Sequence, residues 1–183
     1  HGCTQSLGPA MEGKLPAGFG GLSMEYKQEW LQVPTPAYVV EESLLRRNLE
    51  ILAGLQRETG AHILLAQKAF SMFHFYPLVA EYLSGATASG LYEARLAHEE
   101  MPGRENHIFS PAYRSEDFAE IVEICDHIVF NSFAQWEKFG PMARTKGREC
   151  GLRINPEHST QEHAIYDPCS PESRLGIRRA AFQ

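Results

Sequence analysis

Five short apolar runs, each followed by a stretch with helical periodicity, recur through this chain of 183 residues. With Ile63, Ala86, Ile108, Ile128 and Gly151 as markers, successive runs are separated by 23, 22, 20 and 23 residues. Short strands that alternate with helices at a steady interval predict an α/β fold with a parallel sheet. An open doubly wound sheet and a (β/α) barrel both fit this pattern. No G-x-G-x-x-G motif follows the first strand, and the even spacing favours the barrel.

The predicted strands all end in polar or charged side chains. These are Lys68, Ser89, Ser110 and Asn131 on the first four strands, and Arg153 with Asn155 on the fifth. In parallel barrels the chemistry lies at the carboxyl ends of the strands, so polar ends in register predict one polar site at one mouth. A lysine whose pKa is lowered by burial is a nucleophile that forms Schiff bases, whereas most strand-terminal lysines are simply solvated.

The part of the chain ahead of the repeats predicts an extended segment and one helix. Two prolines in Val33–Pro36 restrict the backbone to extended forms, and Ala37–Val40 then predicts a short strand. A helix is predicted to begin at residues 41–43 and to stop at Gly60. Its predicted apolar stripe consists of Leu45, Leu49, Leu52 and Leu55. Residues 1–32 are predicted to be a disordered or non-native extension.

Composition and charge exclude several functional classes. A hydrophobic content of 43% is sufficient for one globular core. No run of apolar residues is long enough to predict a membrane span, and no leader pattern predicts secretion. The net charge is -6 and the basic residues do not cluster, so we expect no nucleic-acid partner.

The cysteine and histidine patterns bear on compartment and metal binding. Four dispersed cysteines without a C-x-x-C motif predict a reducing, cytoplasmic compartment, with no disulfide framework and no zinc site. None of the eight histidines lies in an H-x-H or H-E-x-x-H motif. The nearest pairs with acids, Glu157–His158 and Glu162–His163, fall in a predicted loop, so we predict no metal.

Several motifs, in order along the chain, resemble a known enzyme family. The segments Pro34–Val40, Leu65–Phe70 and Ala88–Ala94 resemble the fold-type III, alanine racemase-like decarboxylases that depend on pyridoxal 5'-phosphate (PLP). Four further segments resemble the carboxynorspermidine decarboxylase group within that family: Ser110–Tyr113, Asp126–Ser132, Gly151–Glu157 and Tyr166–Ile177. The resemblance extends roughly from Val33 to Ile177.

The resemblance implies a fold, a cofactor and a reaction. It implies a (β/α)-barrel followed by a β-domain, which would pair with Ala37–Val40, and a homodimer with sites at the interface. Lys68 would be the catalytic lysine that holds PLP, and Arg153, Ser89 and Glu93 match positions near the cofactor. The implied reaction is decarboxylation of carboxynorspermidine or carboxyspermidine to norspermidine or spermidine, in polyamine biosynthesis.

Other interpretations of the same residues stay open. Ser89 fits a helix N-cap, Glu93 a first-turn acid favoured by the helix dipole, and Arg153 a structural ion pair. At the level of function, the alternatives are a related decarboxylase of diaminopimelate, ornithine or lysine, a non-catalytic PLP carrier, and a domain without a cofactor.

The family pattern also predicts what the chain lacks. In the family the histidine that stacks on the cofactor, the glycine-rich phosphate site, the acid facing the pyridine nitrogen and the cysteine from the partner lie further along. We therefore expect residues 33–183 to be the N-terminal part of a PLP-binding barrel, with about five βα units. Such a fragment is expected to hold the cofactor weakly, because phosphate recognition relies on backbone N–H groups at a helix start.

Overall fold

The computed structural model describes residues 28–182, and the contacts within it divide the chain into His1–Val40 and Glu41–Gln183. In the first unit, Gln28–Gln32 form a 3-10 helix, and the disordered or non-native extension stays a prediction. Residues 1–27 lie outside the described residues. The strand predicted at Ala37–Val40 is not formed, because a strand requires pairing and no described residue pairs with this segment.

The second unit is built on a five-stranded parallel sheet with helices between the strands. The strands are β1 (Leu64–Ala66), β2 (Gly85–Ala88), β3 (Glu105–Phe109), β4 (His127–Phe130) and β5 (Glu149–Leu152). The helices are α1 (Glu42–Thr59), α2 (Tyr76–Tyr82), α3 (Leu91–Glu100), α4 (Ser115–Ile124) and α5 (Phe133–Thr145). The strand order is β1-β2-β3-β4-β5, and every pair is parallel. The predicted α/β class is confirmed, but only four βα units are complete among the described residues, because a long loop and not a helix follows β5.

This strand order makes the sheet an arc of a barrel, with two different faces. Consecutive parallel strands are neighbours, and right-handed crossovers then place all the connecting helices on one face. Side chains alternate along each strand, so Ile108 and Ile128 are buried against the helices. His107 and Val129 alternate with them and lie on the helix-free face, where they are half-buried. Among residues 28–182 no helix has the length and apolar character to cross a bilayer.

An aromatic cluster fills the helix-covered side of β3 and β4. The rings of Phe118 and Phe139, from α4 and α5, stack with centroids 4.3 Å apart, and the Tyr113 ring meets Phe118 edge-on at 5.5 Å. The Tyr113 hydroxyl donates to the Val129 carbonyl oxygen at 2.8 Å. Burial raises the pKa of Tyr113, so its hydroxyl stays neutral and remains a donor. The cluster fixes α4 and α5 against the strands that precede them.

Helix α1 packs by a stripe that lacks Leu55 and includes two residues, Ala53 and Gln56, outside the predicted stripe. Leu49 and Ala53 are buried, whereas Leu55 is 47% exposed, so its predicted place in the stripe is wrong. Gln56 lies in the stripe instead, because four residues return a helix to the same face. Its side chain donates to the Tyr82 carbonyl oxygen and accepts from the Ile63 and Ser84 N–H groups. The predicted stop is confirmed, since Gly60 caps the helix with a φ of 71°.

The long loop after β5 returns to the sheet. Ile177 forms a parallel bridge with Ile154, donating to the Arg153 carbonyl oxygen at 2.8 Å and accepting from the Asn155 N–H at 2.9 Å. Asn131 supports this return, because its side chain donates to the Arg174 carbonyl oxygen and accepts from the Gly176 N–H. The loop thereby covers part of the outer edge of the sheet after β5.

Candidate active site

Lys68 lies in the turn that follows β1, at the carboxyl end of the sheet. The turn is closed by the N–H groups of Ala69 and Phe70, which both donate to the Ala66 carbonyl oxygen. The Lys68 side chain is exposed, which agrees with the solvated alternative and not with a buried lysine, and within residues 28–182 it forms no hydrogen bond or ion pair. Its ammonium group is therefore not committed to a structural contact and is accessible to a ligand.

A buried polar cluster beneath this turn holds it in place. Gln67 and Tyr76 are both 0% exposed, and the Tyr76 hydroxyl lies 3.3 Å from the Gln67 Oε1 and from the Phe70 carbonyl oxygen. The Ser71 hydroxyl donates to the Gln67 carbonyl oxygen. Burial raises the pKa of Tyr76, which keeps the hydroxyl protonated as a donor. Sequence reasoning missed this cluster, although a glutamine that directly follows an apolar strand is a signal for a buried anchor.

Ser89 and Glu93 meet at the start of α3. The Glu93 Oε2 accepts a hydrogen bond of 2.5 Å from the Ser89 backbone N–H. The N-cap residue is Gly90, so the alternative that Ser89 caps this helix is wrong. The alternative for Glu93 as a first-turn acid is confirmed, because it lies in the first turn and binds a free N–H there. The Ser89 side chain is exposed, and its hydroxyl forms no hydrogen bond within the described part of the chain.

Arg153 follows β5 and carries a second cation at the carboxyl end. Its N–H donates to the Phe130 carbonyl oxygen at 2.9 Å, which fixes the backbone next to β4. The guanidinium carbon lies 4.6 Å from the centre of the Phe109 ring. No acid among residues 28–182 forms an ion pair with Arg153, so the structural ion-pair alternative is not supported there.

The remaining polar strand ends have structural roles. The Ser110 hydroxyl donates to the Ala112 carbonyl oxygen within its own turn. Asn131 and Asn155 both bind the returning loop, the latter by donating to the Leu175 carbonyl oxygen at 3.0 Å. The predicted common edge therefore divides into residues that anchor the loop and two cations, Lys68 and Arg153, that form no ion pair within residues 28–182, although Arg153 lies over the Phe109 ring. Such cations suit an anionic ligand with phosphate or carboxylate groups.

The sequence is similar to two curated decarboxylases, although no protein-family model matches it. It is 44% identical over 152 residues to the carboxynorspermidine/carboxyspermidine decarboxylase of Campylobacter jejuni, covering 83% of this chain and 39% of that protein. It is 42% identical over 148 residues to the carboxyaminopropylagmatine decarboxylase of a Synechocystis species, covering 81% and 38%. The chain thus spans less than two fifths of the length of these relatives.

The fold is similar to solved decarboxylase structures. The crystal structure of carboxynorspermidine decarboxylase from Campylobacter jejuni, complexed with norspermidine, aligns with a TM-score of 0.71 and 40% identity, over 82% of this chain and 38% of that chain. A diaminopimelate decarboxylase from Helicobacter pylori, complexed with L-lysine, aligns with a TM-score of 0.69 over 84% and 40% of the two chains. At 19% identity the second similarity shows the fold alone. The predicted resemblance is confirmed: over the portion that it spans, the chain is a partial (β/α) barrel related in sequence and fold to the carboxynorspermidine/carboxyspermidine decarboxylases.

Proposed function

We propose that this chain supplies the lysine-bearing part of a PLP-dependent decarboxylase that acts on carboxylated polyamines, with carboxynorspermidine or carboxyspermidine as substrate. One observation carries the proposal. The Lys68 side chain is exposed at the carboxyl end of β1 and forms no hydrogen bond or ion pair within residues 28–182. The chain that carries it is 44% identical to a carboxynorspermidine/carboxyspermidine decarboxylase. A barrel places its chemistry at that end of the strands.

The residues at this edge fit the cofactor. Lys68 would bind it through the amine, and Arg153 would offer a positive charge to its anionic groups or to the substrate carboxylate. When bound, PLP supplies the electron sink that receives the electron pair left behind as CO₂ departs. Ser89 offers a free hydroxyl at the same edge, and Glu93 fixes the backbone that carries it. PLP binding and the roles of these four residues are proposals.

The substrate proposal is supported by the loop that follows β5. Nine residues between Ile165 and Leu175 line an open cavity of about 650 Å³, among them the acids Asp167 and Glu172 and the cation Arg174. Carboxylates favour a polycationic amine over a neutral substrate. A carboxylated aminopropylagmatine is the second candidate substrate, because a relative of that specificity is 42% identical to this chain. A homodimer remains a prediction from the resemblance, and a cytoplasmic location remains a prediction from the cysteine pattern.

The first experiment tests cofactor attachment. The chain is incubated with PLP, reduced with borohydride and mapped by mass spectrometry. The phosphopyridoxyl group is expected on Lys68, with no incorporation at that position in Lys68→Ala. Lys138→Ala is the matched control, because Lys138 is an exposed lysine on α5. Equal labelling of Lys68→Ala and Lys138→Ala would rule out Lys68 as the attachment site.

The second experiment separates an enzyme from a carrier. The protein expressed from its complete coding sequence is assayed for release of CO₂ from carboxynorspermidine, carboxyspermidine, carboxyaminopropylagmatine, diaminopimelate, ornithine and lysine. Release from one of the first three supports the proposal, and release only from a diamino acid supports the related decarboxylases. Attachment of PLP to Lys68 without release from any of the six would support the non-catalytic carrier.

A further inference from the structure

A cluster of histidines and acids lies on the helix-free face near the amino ends of β3, β4 and β5. Its centre consists of Glu105, His107 and His127, with side chains 26%, 23% and 30% exposed. His62 and Glu149 flank it. The strand register creates this proximity, because His107 pairs with His127 and His127 pairs with Glu149. The absence of a metal-binding motif in the sequence does not exclude a site here, because these residues come together on neighbouring strands and not within one short segment.

Both histidines direct the same ring nitrogen toward one carboxylate oxygen. The Nε2 of His107 lies 2.8 Å from the Glu105 Oε2, and the Nε2 of His127 lies 3.8 Å from that oxygen. The two imidazole rings are stacked, with centroids 3.9 Å apart and planes inclined by 14°. One donor atom from each of the three residues falls within 4.8 Å of the others. Adjacent ligand atoms of a tetrahedral zinc ion are about 3.3 Å apart, so small side-chain movements would suffice.

A second set of contacts orients the donors. The Nδ1 of His127 lies 2.9 Å from the Glu149 Oε2, which favours a proton on Nδ1 and leaves the lone pair on Nε2. Histidine ligands in metal sites are oriented by carboxylates in this way. The other oxygen of Glu105, Oε1, contacts the Nδ1 of His62, so this carboxylate is held from both sides.

We propose that Glu105, His107 and His127 form a binding site for a divalent transition metal of the zinc type. Two imidazole nitrogens and one carboxylate oxygen are a ligand set that zinc and cobalt accept, and water or His62 can complete four-coordination. Calcium and magnesium prefer sites made only of oxygen. The ion would join β3 to β4 and would stabilise the folded chain, because it binds the assembled strands.

This site is separate from the proposed cofactor edge. Phe109, Val129 and Gly151 follow the cluster by two residues on their strands, and they pair in register as the next layer of the helix-free face. Arg153 lies two residues beyond Gly151. The metal proposal therefore does not depend on PLP binding at Lys68.

The test is a titration of the metal-free chain with Co²⁺, followed by its visible absorption, with Zn²⁺ as competitor. We expect tetrahedral-type Co²⁺ bands that Zn²⁺ removes, and a rise in melting temperature with Zn²⁺. His107→Gln and His127→Gln should each weaken binding about 100-fold, and Glu149→Gln about 10-fold, as for groups that orient a ligand. His98→Gln is the matched control, because His98 is exposed on α3.

Replacement of one metal-binding histidine by cysteine provides a second test, which applies if a glutamine variant fails to fold. In His127→Cys the thiolate replaces an imidazole, and binding of Co²⁺ should persist with a new sulfur-to-cobalt charge-transfer band. Absence of the Co²⁺ bands in the folded wild-type chain would overturn the proposal, as would equal affinities for the wild type and His107→Gln. In either case the cluster is a metal-free hydrogen-bonded network.

Discussion

The two ends of the sheet differ in how their charged side chains are used. At the carboxyl end, Lys68 and Arg153 form no ion pair within residues 28–182, while the backbone around them is fixed. At the amino end, the charged side chains contact one another. The single carboxylate of Glu105 contacts three histidines, His62, His107 and His127. A group that must engage a ligand is left free by its neighbours, whereas mutual contacts stabilise a fold or prearrange a metal site. Under the proposed function, the carboxyl end of the sheet would carry the chemistry, whereas the contacts at the amino end hold neighbouring strands together.

The largest expected effect is on the free energy of unfolding, and it tests how closely the strands pack at the amino end of the sheet. Gly85 begins β2, and a Cβ atom added there would overlap the backbone carbonyl oxygen of Glu105. Gly85→Ala should therefore lower the free energy of unfolding by about 3 kcal/mol, measured by urea denaturation. Gly90→Ala is the control, because no atom lies within 4 Å of its Cβ position. Equal stability of the two variants would contradict close strand packing at this end.

The second prediction concerns the reactivity of a buried thiol, Cys125, relative to a partly exposed one, Cys169. Burial raises the pKa of the Cys125 thiol to about 12, so almost none of the reactive thiolate exists near neutrality. At pH 8, alkylation of Cys125 in the folded chain should be at least about 100-fold slower than that of Cys169, by peptide mapping. The rate for Cys125 should rise with pH and on unfolding in urea. Fast labelling of native Cys125 would contradict its burial.

A smaller effect is expected where the Lys68 turn is anchored. Tyr76→Phe removes the hydroxyl that lies 3.3 Å from the buried Gln67 Oε1, leaving that oxygen without this donor. We expect a loss of about 1–2 kcal/mol of stability and slower PLP attachment at Lys68. Tyr92→Phe is the control, since the Tyr92 side chain is 77% exposed. If PLP attachment were as fast in Tyr76→Phe as in Tyr92→Phe, the anchor would not position the lysine.

The smallest effect concerns the returning loop. Asn131→Ala removes two hydrogen bonds, of 2.8 Å to the Arg174 carbonyl oxygen and 2.7 Å from the Gly176 N–H. Because one partner is exposed, we expect a loss of only about 1 kcal/mol in global stability. Cleavage by a protease within residues 165–175 should nevertheless become faster, because the loop opens locally. An unchanged cleavage rate would show that the Ile154–Ile177 bridge and the Asn155 contact hold the loop without Asn131.

Local patterns predicted the elements, but not the contacts between them. The strands and the Gly60 stop follow from apolar runs and backbone conformation, which are short-range properties. Leu55 does not lie in the stripe to which its hydrophobicity assigns it, and Gln56 lies there because of its position on the helix. Lys68 could be singled out from its place at a strand end.

Contacts that depend on strand register, or on pairing between residues far apart in the sequence, could not be predicted from the sequence. His107 and His127 are 20 residues apart in sequence, and only the pairing of β3 with β4 stacks their rings. The return of Ile177 to Ile154 joins residues across a loop without strand periodicity. The Gln67–Tyr76 contact likewise depends on how the turn folds back over α2. Parallel strands pair across crossovers, so local sequence does not specify which side chains meet.

The Ile154–Ile177 bridge has a consequence for self-association. An unpaired strand edge is a template on which another chain can add a strand. The bridge occupies only the carboxyl end of that edge, through the backbone of Arg153 and Asn155. Within residues 28–182, the outer edge of Glu149–Leu152 pairs with no further strand, and Leu152 is 37% exposed. At this edge, addition of a strand from another chain is therefore expected at the amino half of β5 and not at the bridge.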